Sequence, residues 1–438
     1  MKSQINVGLV GFGTVGTGTA KILLENRELI ARRVGVPLVL CRIVDLDLTT
    51  DRGIALPDGL LSSDLSGLLN DPEIDIVIEL IGGFDTAKQV MLDAMAQGKH
   101  VVTANKALLA IHGEDIFMAA ACAGLDIGFE ASVGGGIPII RSLTEGLAAN
   151  RCVSIVGILN GTANYILTQM LKEQQDFEDA LSEAQTKGYA EANPTFDVEG
   201  IDSLHKLAIM VNLAYGTPVN VKDVFTEGIK NVTTLDIQYA SELGMVIKLL
   251  GIAKIHDGEI EARVHPTLIK KDSPLAQVHG IYNAIHAVGD AVGDVMLYGQ
   301  GAGALPTGSA VVSDVIDIAR NIQKQASGRV SPTSFPEAQR VPIRIRPMEE
   351  LIARYYLRCM VQDRPGVLSQ IAGVLGNYGI SIMSVLQQGR HEAHAVPLVI
   401  MTHRALERSV QTALQEINQM SSVISQPTTL IRVEDEEC

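Results

Sequence analysis

The chain has no tryptophan, and aromatic residues make up only 4% of its 438 residues. Stacking platforms for single-stranded nucleic acid need such rings, so that class of function is disfavoured. Charged residues are also few, at 19%, and the net charge is −15. Nucleic acid and anionic membrane surfaces both require a basic face, so neither is expected as a partner. No apolar run is long enough to span a bilayer. The five cysteines, Cys41, Cys122, Cys152, Cys359 and Cys438, are scattered, odd in number and never spaced as CxxC. That usage fits a reduced, cytoplasmic compartment and not a structural zinc site. The N-terminus enters an apolar strand at Ile5 without the layout of a signal peptide, which gives the same expectation.

What is present is apolar residue in quantity, 47%, enough for several cores in a chain of two to four domains. Strand and helix patterns alternate over the first 130 residues or so. Strands are expected at Ile5–Val10, Leu38–Asp45, Asp75–Ile81, His100–Thr103 and Leu125–Ala131, with a first helix running to about Arg33 and another near Asp85–Gln97. This is the rhythm of an α/β, doubly wound parallel sheet. From about Gly134 the regularity is lost: Val153–Leu159 reads as a strand and a helix begins near Thr162, as in an α+β domain. Tyr298–Arg320 opens with glycines and continues as a helix that could pack back on the first domain. Ala326–Met348, with Pro332, Pro336, Pro342 and Pro347, has linker composition. Beyond it, Arg354–Val361, Gly366–Asn377, Ser381–Leu386, Pro397–Thr402 and Ala405–Met420 follow a βαββαβ order, which suits a ferredoxin-like module.

Gly11-Phe12-Gly13-Thr14-Val15-Gly16 is a GxGxxG turn that follows an apolar strand and opens a helix. In that context it reads as a Rossmann-type dinucleotide turn, with a pyrophosphate on the helix N-terminus. Asp45 ends the second strand, where an acid would hold ribose hydroxyls and favour NAD; it could equally be a strand-end carboxylate without a ligand. Arg42 and Arg52 lie near enough in sequence to take a 2′-phosphate instead, so NAD and NADP both stand. Thr103-Ala104-Asn105-Lys106 lies just past the fourth strand, at the edge that lines the ligand crevice of such a sheet. Lys106 is there a candidate proton-exchanging or ligand-contacting group, or an ordinary loop lysine. Glu130 and the glycine run to Ile137 offer either a carboxylate and carbonyls for a hard cation or a hinge between domains.

The densest cluster lies between Gly188 and Lys206. Glu191, Asp197 and Asp202 surround a turn marked by Pro194 and Gly200, and Lys206 follows on a helix expected over Ser203–Tyr215. Asp202 and Lys206, four apart, share a helix face. The rest of that helix is apolar nearly all round, so the pair is expected to face a cleft rather than bulk water; a surface ion pair is the plainer alternative. In a cleft, burial lowers a lysine's pKa and nearby acids raise it, and the lysine can serve as acid or base. His205 is expected to pack rather than react. Gly299–Thr307 is a second glycine segment suited to backbone contact with a ligand, or to a tight crossing. In the last module, Asp363–Leu368 joins strand to helix, a place suited to a small carboxylate-bearing effector.

With these residues assembled, the stretch Ala184, Gly188-Tyr189, Asn193-Pro194, Asp197, Gly200, Asp202, Lys206 resembles the signature of homoserine dehydrogenases. The glycine turn, Thr103–Lys106, Gly157–Thr162 and Gly299–Thr307 resemble the same family, so that the likeness covers residues 1 to about 325. Residues 354–430 resemble an ACT domain, and without an aspartate kinase half the chain looks like the monofunctional form. The resemblance implies a dinucleotide-binding domain at 1–131 (with 299–325 packing back on it), a catalytic and dimerisation domain at 132–298, a linker at 326–350 and an ACT regulatory domain at 351–432. It implies NAD(P)-dependent interconversion of L-homoserine and L-aspartate 4-semialdehyde, a step toward threonine, methionine and isoleucine. Lys206 would be the general acid/base and Lys106 a second catalytic lysine. Glu191 and Asp202 would bind the substrate's ammonium, with Asp197 a further substrate-binding acid. Phe12, Gly13, Thr14, Val15, Thr103 and Gly303 would contact the dinucleotide, and Glu130 with the carbonyls of Val133, Gly135 and Ile137 would match the family's sodium site. A homodimer or homotetramer, regulated by threonine or a related amino acid, is the expected assembly.

Two other functions compete with this reading. An aspartate-semialdehyde dehydrogenase needs a nucleophilic cysteine, and none of the five lies in a candidate motif. A non-enzymatic sensor would join a dinucleotide domain to an amino-acid-sensing module, but it would have no use for the Glu191–Lys206 cluster.

Overall fold

A computed structural model describes residues 2–387 and 395–435 of the chain; Cys438 lies outside the described residues. The first elements are β1 (Ile5–Val10), α1 (Thr14–Glu25), α2 (Arg27–Val34), β2 (Leu38–Val44), β3 (Leu61–Ser62) and α3 (Leu65–Leu69). Then come β4 (Ile76–Glu79), α4 (Asp85–Ala96), β5 (His100–Thr103), α5 (Lys106–Ala123), β6 (Ile127–Gly128) and α6 (Ile139–Arg141). The middle of the chain forms β7 (Cys152–Ile158), α7 (Gly161–Lys172), α8 (Phe177–Thr186), α9 (Thr195–Val198), α10 (Ile201–Tyr215), β8 (Phe225–Thr226) and α11 (Thr234–Glu242). Two long strands, β9 (Met245–His256) and β10 (Glu259–Lys270), precede β11 (Tyr282–Gly289), β12 (Gly293–Gln300) and α12 (Ala304–Lys324). The last part is β13 (Ile352–Gln362), α13 (Val367–Asn377), β14 (Ile382–Gln387), β15 (Ala395–Thr402), β16 (Ala405–Leu406), α14 (Glu407–Gln419) and β17 (Ile424–Val433).

Contacts divide the chain into two units, 1–161 with 204–222 and 282–343, and 162–203 with 223–281 and 344–438. In the first, six parallel strands follow the order β3-β2-β1-β4-β5-β6. The order reverses between β1 and β4, which is the switch point where ligands bind in open α/β sheets. Strands β1 and β4 are buried along their whole length, as a sheet covered on both faces requires. Helix α12 joins this core: Val311, Val315 and Ile318 pack with Leu9, Leu23 and Ile43. It lies so close to α1 that a Cβ on Gly18 would sit 2.0 Å from the Ala304 carbonyl oxygen. The same unit holds the antiparallel strands β12-β11-β7.

Two expectations for this unit are corrected. The fifth strand is only Ile127–Gly128, because α12 crosses there and the chain turns: a Cβ on Gly128 would meet Asp314 at 2.6 Å, and the Glu130 N–H donates to Asp314 Oδ2 at 2.8 Å. The first helix is broken at Asn26 into α1 and α2.

In the second unit, β9-β10-β17-β13-β15-β14 share one sheet. The strands from β13 onward, with α13 and α14, have the βαββαβ order expected of a ferredoxin-like ACT module. Helix α14 buries Val410, Ala413, Leu414 and Ile417, the i, i+3, i+4, i+7 stripe of an amphipathic helix, against Tyr355, Leu357 and Cys359 of β13. The other face of β13 carries Arg358, which bonds the fully buried Asp236 through Nε (2.6 Å) and Nη2 (3.0 Å). Asp236 also closes a capping box with Thr233 at the start of α11. Parallel pairing of β17 with β10 extends the module's sheet into the β9–β10 hairpin. Cys41, Cys122, Cys152 and Cys359 are free thiols, and no helix among the described residues is long and apolar enough to cross a membrane.

Candidate active site

The glycine turn leaves β1 at Val10 and enters α1 at Thr14. Gly11 has φ +96°, and a Cβ there would lie 2.5 Å from the Leu80 carbonyl carbon, so only glycine fits. A Cβ on Gly16 would meet the Gly11 carbonyl oxygen at 2.1 Å, which keeps the turn tight. Gly13, by contrast, has open space where a side chain would be. It caps α1 without a side-chain bond, and the first turn of α1 carries no acid. The helix therefore presents free N–H groups and its positive end to that space, the arrangement a pyrophosphate needs. These residues fit a dinucleotide.

Asp45, at the end of β2, bends back on the turn: Oδ2 accepts the Phe12 N–H at 2.5 Å and Oδ1 accepts the Asp47 N–H at 2.8 Å. Arg52 approaches the same carboxylate at 3.8 Å and lies 4.9 Å over the Phe12 ring. Arg42 instead pairs with Asp71 at 3.2 Å. Of the two arginines, Arg52 is the one that borders the turn.

Sequence reasoning missed Glu79. It ends β4, is fully buried, and accepts the Thr103 hydroxyl at 2.7 Å and the N–H groups of Ile81 and Gly82 at 2.8 and 3.2 Å. Burial raises its pKa, against those three hydrogen bonds. It ties the ends of β4 and β5 together beside the switch point. The only signal was a lone acid closing an apolar run, Ile76–Glu79. Thr103 in turn accepts the Asn105 N–H at 3.0 Å, and Asn105 caps α5, placing Lys106 at that helix's first position.

Lys206 is 7% exposed on α10, and its ammonium donates to the Leu159 carbonyl at 2.6 Å. The same carbonyl accepts Asn283 Nδ2 at 2.8 Å. Lys106 and Lys206 belong to the first unit, and Glu191, Asp197 and Asp202 to the second. Glu191 is exposed, Asp197 half-buried and Asp202 4% exposed. In the segment that bears these acids, Gln185 Nε2 donates to the Glu191 carbonyl at 3.1 Å.

Glu130 is 5% exposed, and its carboxylate accepts the N–H groups of Ile140 (2.7 Å) and Arg141 (2.9 Å) at the start of α6. Burial raises its pKa. Burial, and then the Glu130 charge, push Asp314 up to about 8. A cavity of about 410 Å³ opens beside this pair, bordered also by Arg141, Asp317 and Arg329, and none of its walls belongs to the glycine turn. Gly135 packs on the second glycine segment, where a Cβ would stand 2.5 Å from the Gly301 carbonyl. Gly303, at φ +122°, starts α12 without a side-chain cap. Among the described residues, no group of three or more His, Cys, Asp or Glu side chains could hold a metal ion.

A parallel sheet with an uncapped glycine turn at its switch point, in a unit that also holds the buried Lys206, is an architecture suited to an NAD(P)-dependent oxidoreductase. Comparison with known proteins narrows this. Residues 11–130 match the model of the homoserine dehydrogenase NAD-binding domain, 138–316 that of homoserine dehydrogenase itself, and 355–421 that of the ACT domain. The homoserine dehydrogenase of Neisseria gonorrhoeae is 46% identical, over 98% of each chain. The crystal structure of a homoserine dehydrogenase from Thiobacillus denitrificans, 45% identical, superposes with a TM-score of 0.92 over 99% of this chain and 98% of that one. A hyperthermophilic archaeal homoserine dehydrogenase solved in complex with NADPH is 27% identical, with a TM-score of 0.60 over 72% of this chain and 97% of its own. The chain belongs to the homoserine dehydrogenase family, and its reaction is the NAD(P)-dependent interconversion of L-homoserine and L-aspartate 4-semialdehyde.

Proposed function

We propose that Lys206 moves the proton at the substrate's side-chain oxygen, and that Lys106 is a second lysine acting at the same oxygen. The observation that carries this is the burial of Lys206 with its ammonium held by the Leu159 carbonyl. A lysine so held keeps one direction for its remaining protons. Bound at the Gly11–Gly16 turn, NAD(P) accepts a hydride from homoserine or gives one to the semialdehyde. In the oxidative direction Lys206, as the neutral amine, takes the hydroxyl proton as the carbonyl forms and becomes the ammonium. In reduction it returns that proton, and its positive charge stabilises the oxygen as negative charge develops. Glu191 and Asp202, with Asp197, hold the substrate's ammonium and orient the reacting carbon, which makes the transfer an oriented, near-intramolecular step.

Gly11, Phe12, Gly13, Thr14, Val15, Gly16, Thr103, Lys106 and Gly303 are the proposed dinucleotide contacts. Asp45 reaches the turn through the Phe12 N–H, and Arg52 beside it supplies a cation for a 2′-phosphate, which supports use of NADP as well as NAD. For the cation, Glu130 with the carbonyls of Val133, Gly135 and Ile137 is an all-oxygen set that fits a hard monovalent ion. Held there, the ion would fix the loop before α6 and take no part in hydride or proton transfer.

The proposed division is a dinucleotide domain at 1–131 joined by 299–325, a catalytic and dimerisation domain at 132–298, a connecting segment at 326–350 and a regulatory module at 351–432. Threonine or a related amino acid is the proposed effector, bound near Asp363–Leu368. Support comes from Gly366, whose φ of +90° starts α13 without a side-chain cap or a first-turn acid. The assembly is proposed to be a cytoplasmic homodimer or homotetramer.

The test is absorbance at the reduced-nicotinamide band with homoserine and each dinucleotide, with and without threonine. Homoserine-dependent reduction and a threonine-dependent change in rate are expected. Turnover indifferent to threonine at any concentration would remove the effector assignment and leave the activity standing.

A further inference from the structure

Arg432, on β17, is 3% exposed and divides its guanidinium between two carboxylates. Nε and Nη2 donate to Glu407 at 3.1 and 2.7 Å, and Nη1 donates to Glu227 at 2.9 Å. Its plane covers the Phe225 ring at 4.8 Å. Glu407 opens α14 and is 2% exposed, so that half of the arrangement is internal to the C-terminal module. Glu227 is not: it follows β8, and its N–H donates to the Val264 carbonyl of β10 at 2.8 Å.

The segment from Thr226 to Lys230 grips another stretch of chain. A Cβ on Gly200 would lie 3.3 Å from Thr226 Cγ2 and 3.4 Å from the Glu227 carbonyl, and one on Gly228 would lie 2.1 Å from the Val198 carbonyl. The Ile229 N–H donates to that Val198 carbonyl at 2.8 Å, and Lys230 pairs with Glu199. Gly200 has φ +80°, so the bend it makes admits no other residue without strain. The stretch held this way, Val198–Gly200, lies between Asp197 and Asp202.

We propose that Arg432 is a positioning residue for homoserine. Through Glu227 it anchors Thr226–Lys230, and through that segment it fixes the bend that aims Asp197 and Asp202. The proposal rests on reading those acids as the ligands of the substrate's ammonium. It adds a route by which the C-terminal module acts on substrate affinity: any shift of β17 against α14 changes how Arg432 shares itself between Glu407 and Glu227. By linkage, homoserine binding then favours the module conformation that keeps the Glu227 contact.

The test uses the full chain and steady-state kinetics of Glu227→Gln, Arg432→Lys and, as reference, Asp202→Asn. The Glu227 side chain is 34% exposed, so its neutral variant is expected to fold. Loss of one charge-assisted hydrogen bond raises the homoserine KM of Glu227→Gln by about tenfold. The dinucleotide KM stays within about twofold, since only the substrate acids depend on the Glu227 contact. Arg432→Lys keeps the charge without the fork and shows a rise in the same KM alone. If Asp202→Asn raises the homoserine KM and the other two variants do not, the inference fails while the substrate site stands. Equal rises in both KM values with a lowered unfolding midpoint would reduce Arg432 to a structural role and also overturn it. Should Asp202→Asn leave homoserine kinetics unchanged, the reading of the acids falls, and the inference with it.

Discussion

Lys248 makes the stability of the second unit depend on pH in a direction that can be worked out. It sits on β9, 2% exposed, and its side-chain nitrogen donates to Asn164 Oδ1 at 3.0 Å and to the Val278 carbonyl at 2.5 Å. Burial, and then the like charge of Lys172, push its pKa down to about 7 from 10.5. Below pH 7 the folded and unfolded chains both hold this proton, and the group contributes no pH dependence. Above it the folded chain releases the proton while the unfolded chain keeps it until about pH 10.5, so the unfolded state binds more protons and stability rises with pH. At about 1.4 kcal/mol per pH unit, the gain between pH 7 and 9.5 is about 3 to 4 kcal/mol. His279, whose pKa is lowered by burial and then by the charges of Lys248 and Lys172, is neutral across this window and adds nothing to the slope. Lys248→Met removes the titration and keeps the length of the side chain. Urea unfolding of both proteins at pH 6.5, 8 and 9.5, followed by circular dichroism, should give curves that diverge in favour of wild type as pH rises. Parallel curves would refute the assignment of a neutral buried lysine.

Two further perturbations test the packing and the cofactor turn. Asp236→Ala leaves Arg358, 6% exposed, as an unpaired buried charge and should cost about 3 to 5 kcal/mol, whereas Asp236→Leu with Arg358→Met should recover most of that. A denaturant double-mutant cycle measures it, and simple additivity of the two single losses would contradict a buried pair. Gly16→Val places a Cβ 2.1 Å from the Gly11 carbonyl and must open the turn, so fluorescence titration with reduced dinucleotide should show affinity weakened by about tenfold or more, with homoserine-binding residues untouched.

The dinucleotide domain was legible because its signals are local. Apolar runs set β1 and β5 residue for residue and located β4, which the structure shortens from the expected Asp75–Ile81 to Ile76–Glu79, and Gly11–Gly16 stands between a strand and a helix as such turns must. The family resemblance reached further than spacing could, since only Asp202 and Lys206 share a helix, while Glu191 sits on irregular backbone and Asp197 on the separate single turn α9. What stayed hidden depends on residues distant in sequence. The fifth strand shrank because α12, nearly two hundred residues on, crosses it at Gly128. Glu79 looked like a strand end until Thr103 and the Ile81–Gly82 turn were seen to converge on it. Linker composition at 326–350 likewise gave no hint that Arg340 would make a forked pair with Glu114, at 2.6 and 2.7 Å. The union of β17 with β10, and the Arg432 contacts it permits, cannot be read from either strand alone.

The central claim is that Lys206 transfers the proton and leaves dinucleotide binding to other residues. Its most direct test is Lys206→Ala, with kcat for homoserine oxidation measured beside the dissociation constant of reduced dinucleotide. Loss of a positioned acid/base should lower kcat by about 10² to 10⁴-fold while the dissociation constant changes by less than about threefold. Unchanged turnover in a folded Lys206→Ala protein would contradict the account.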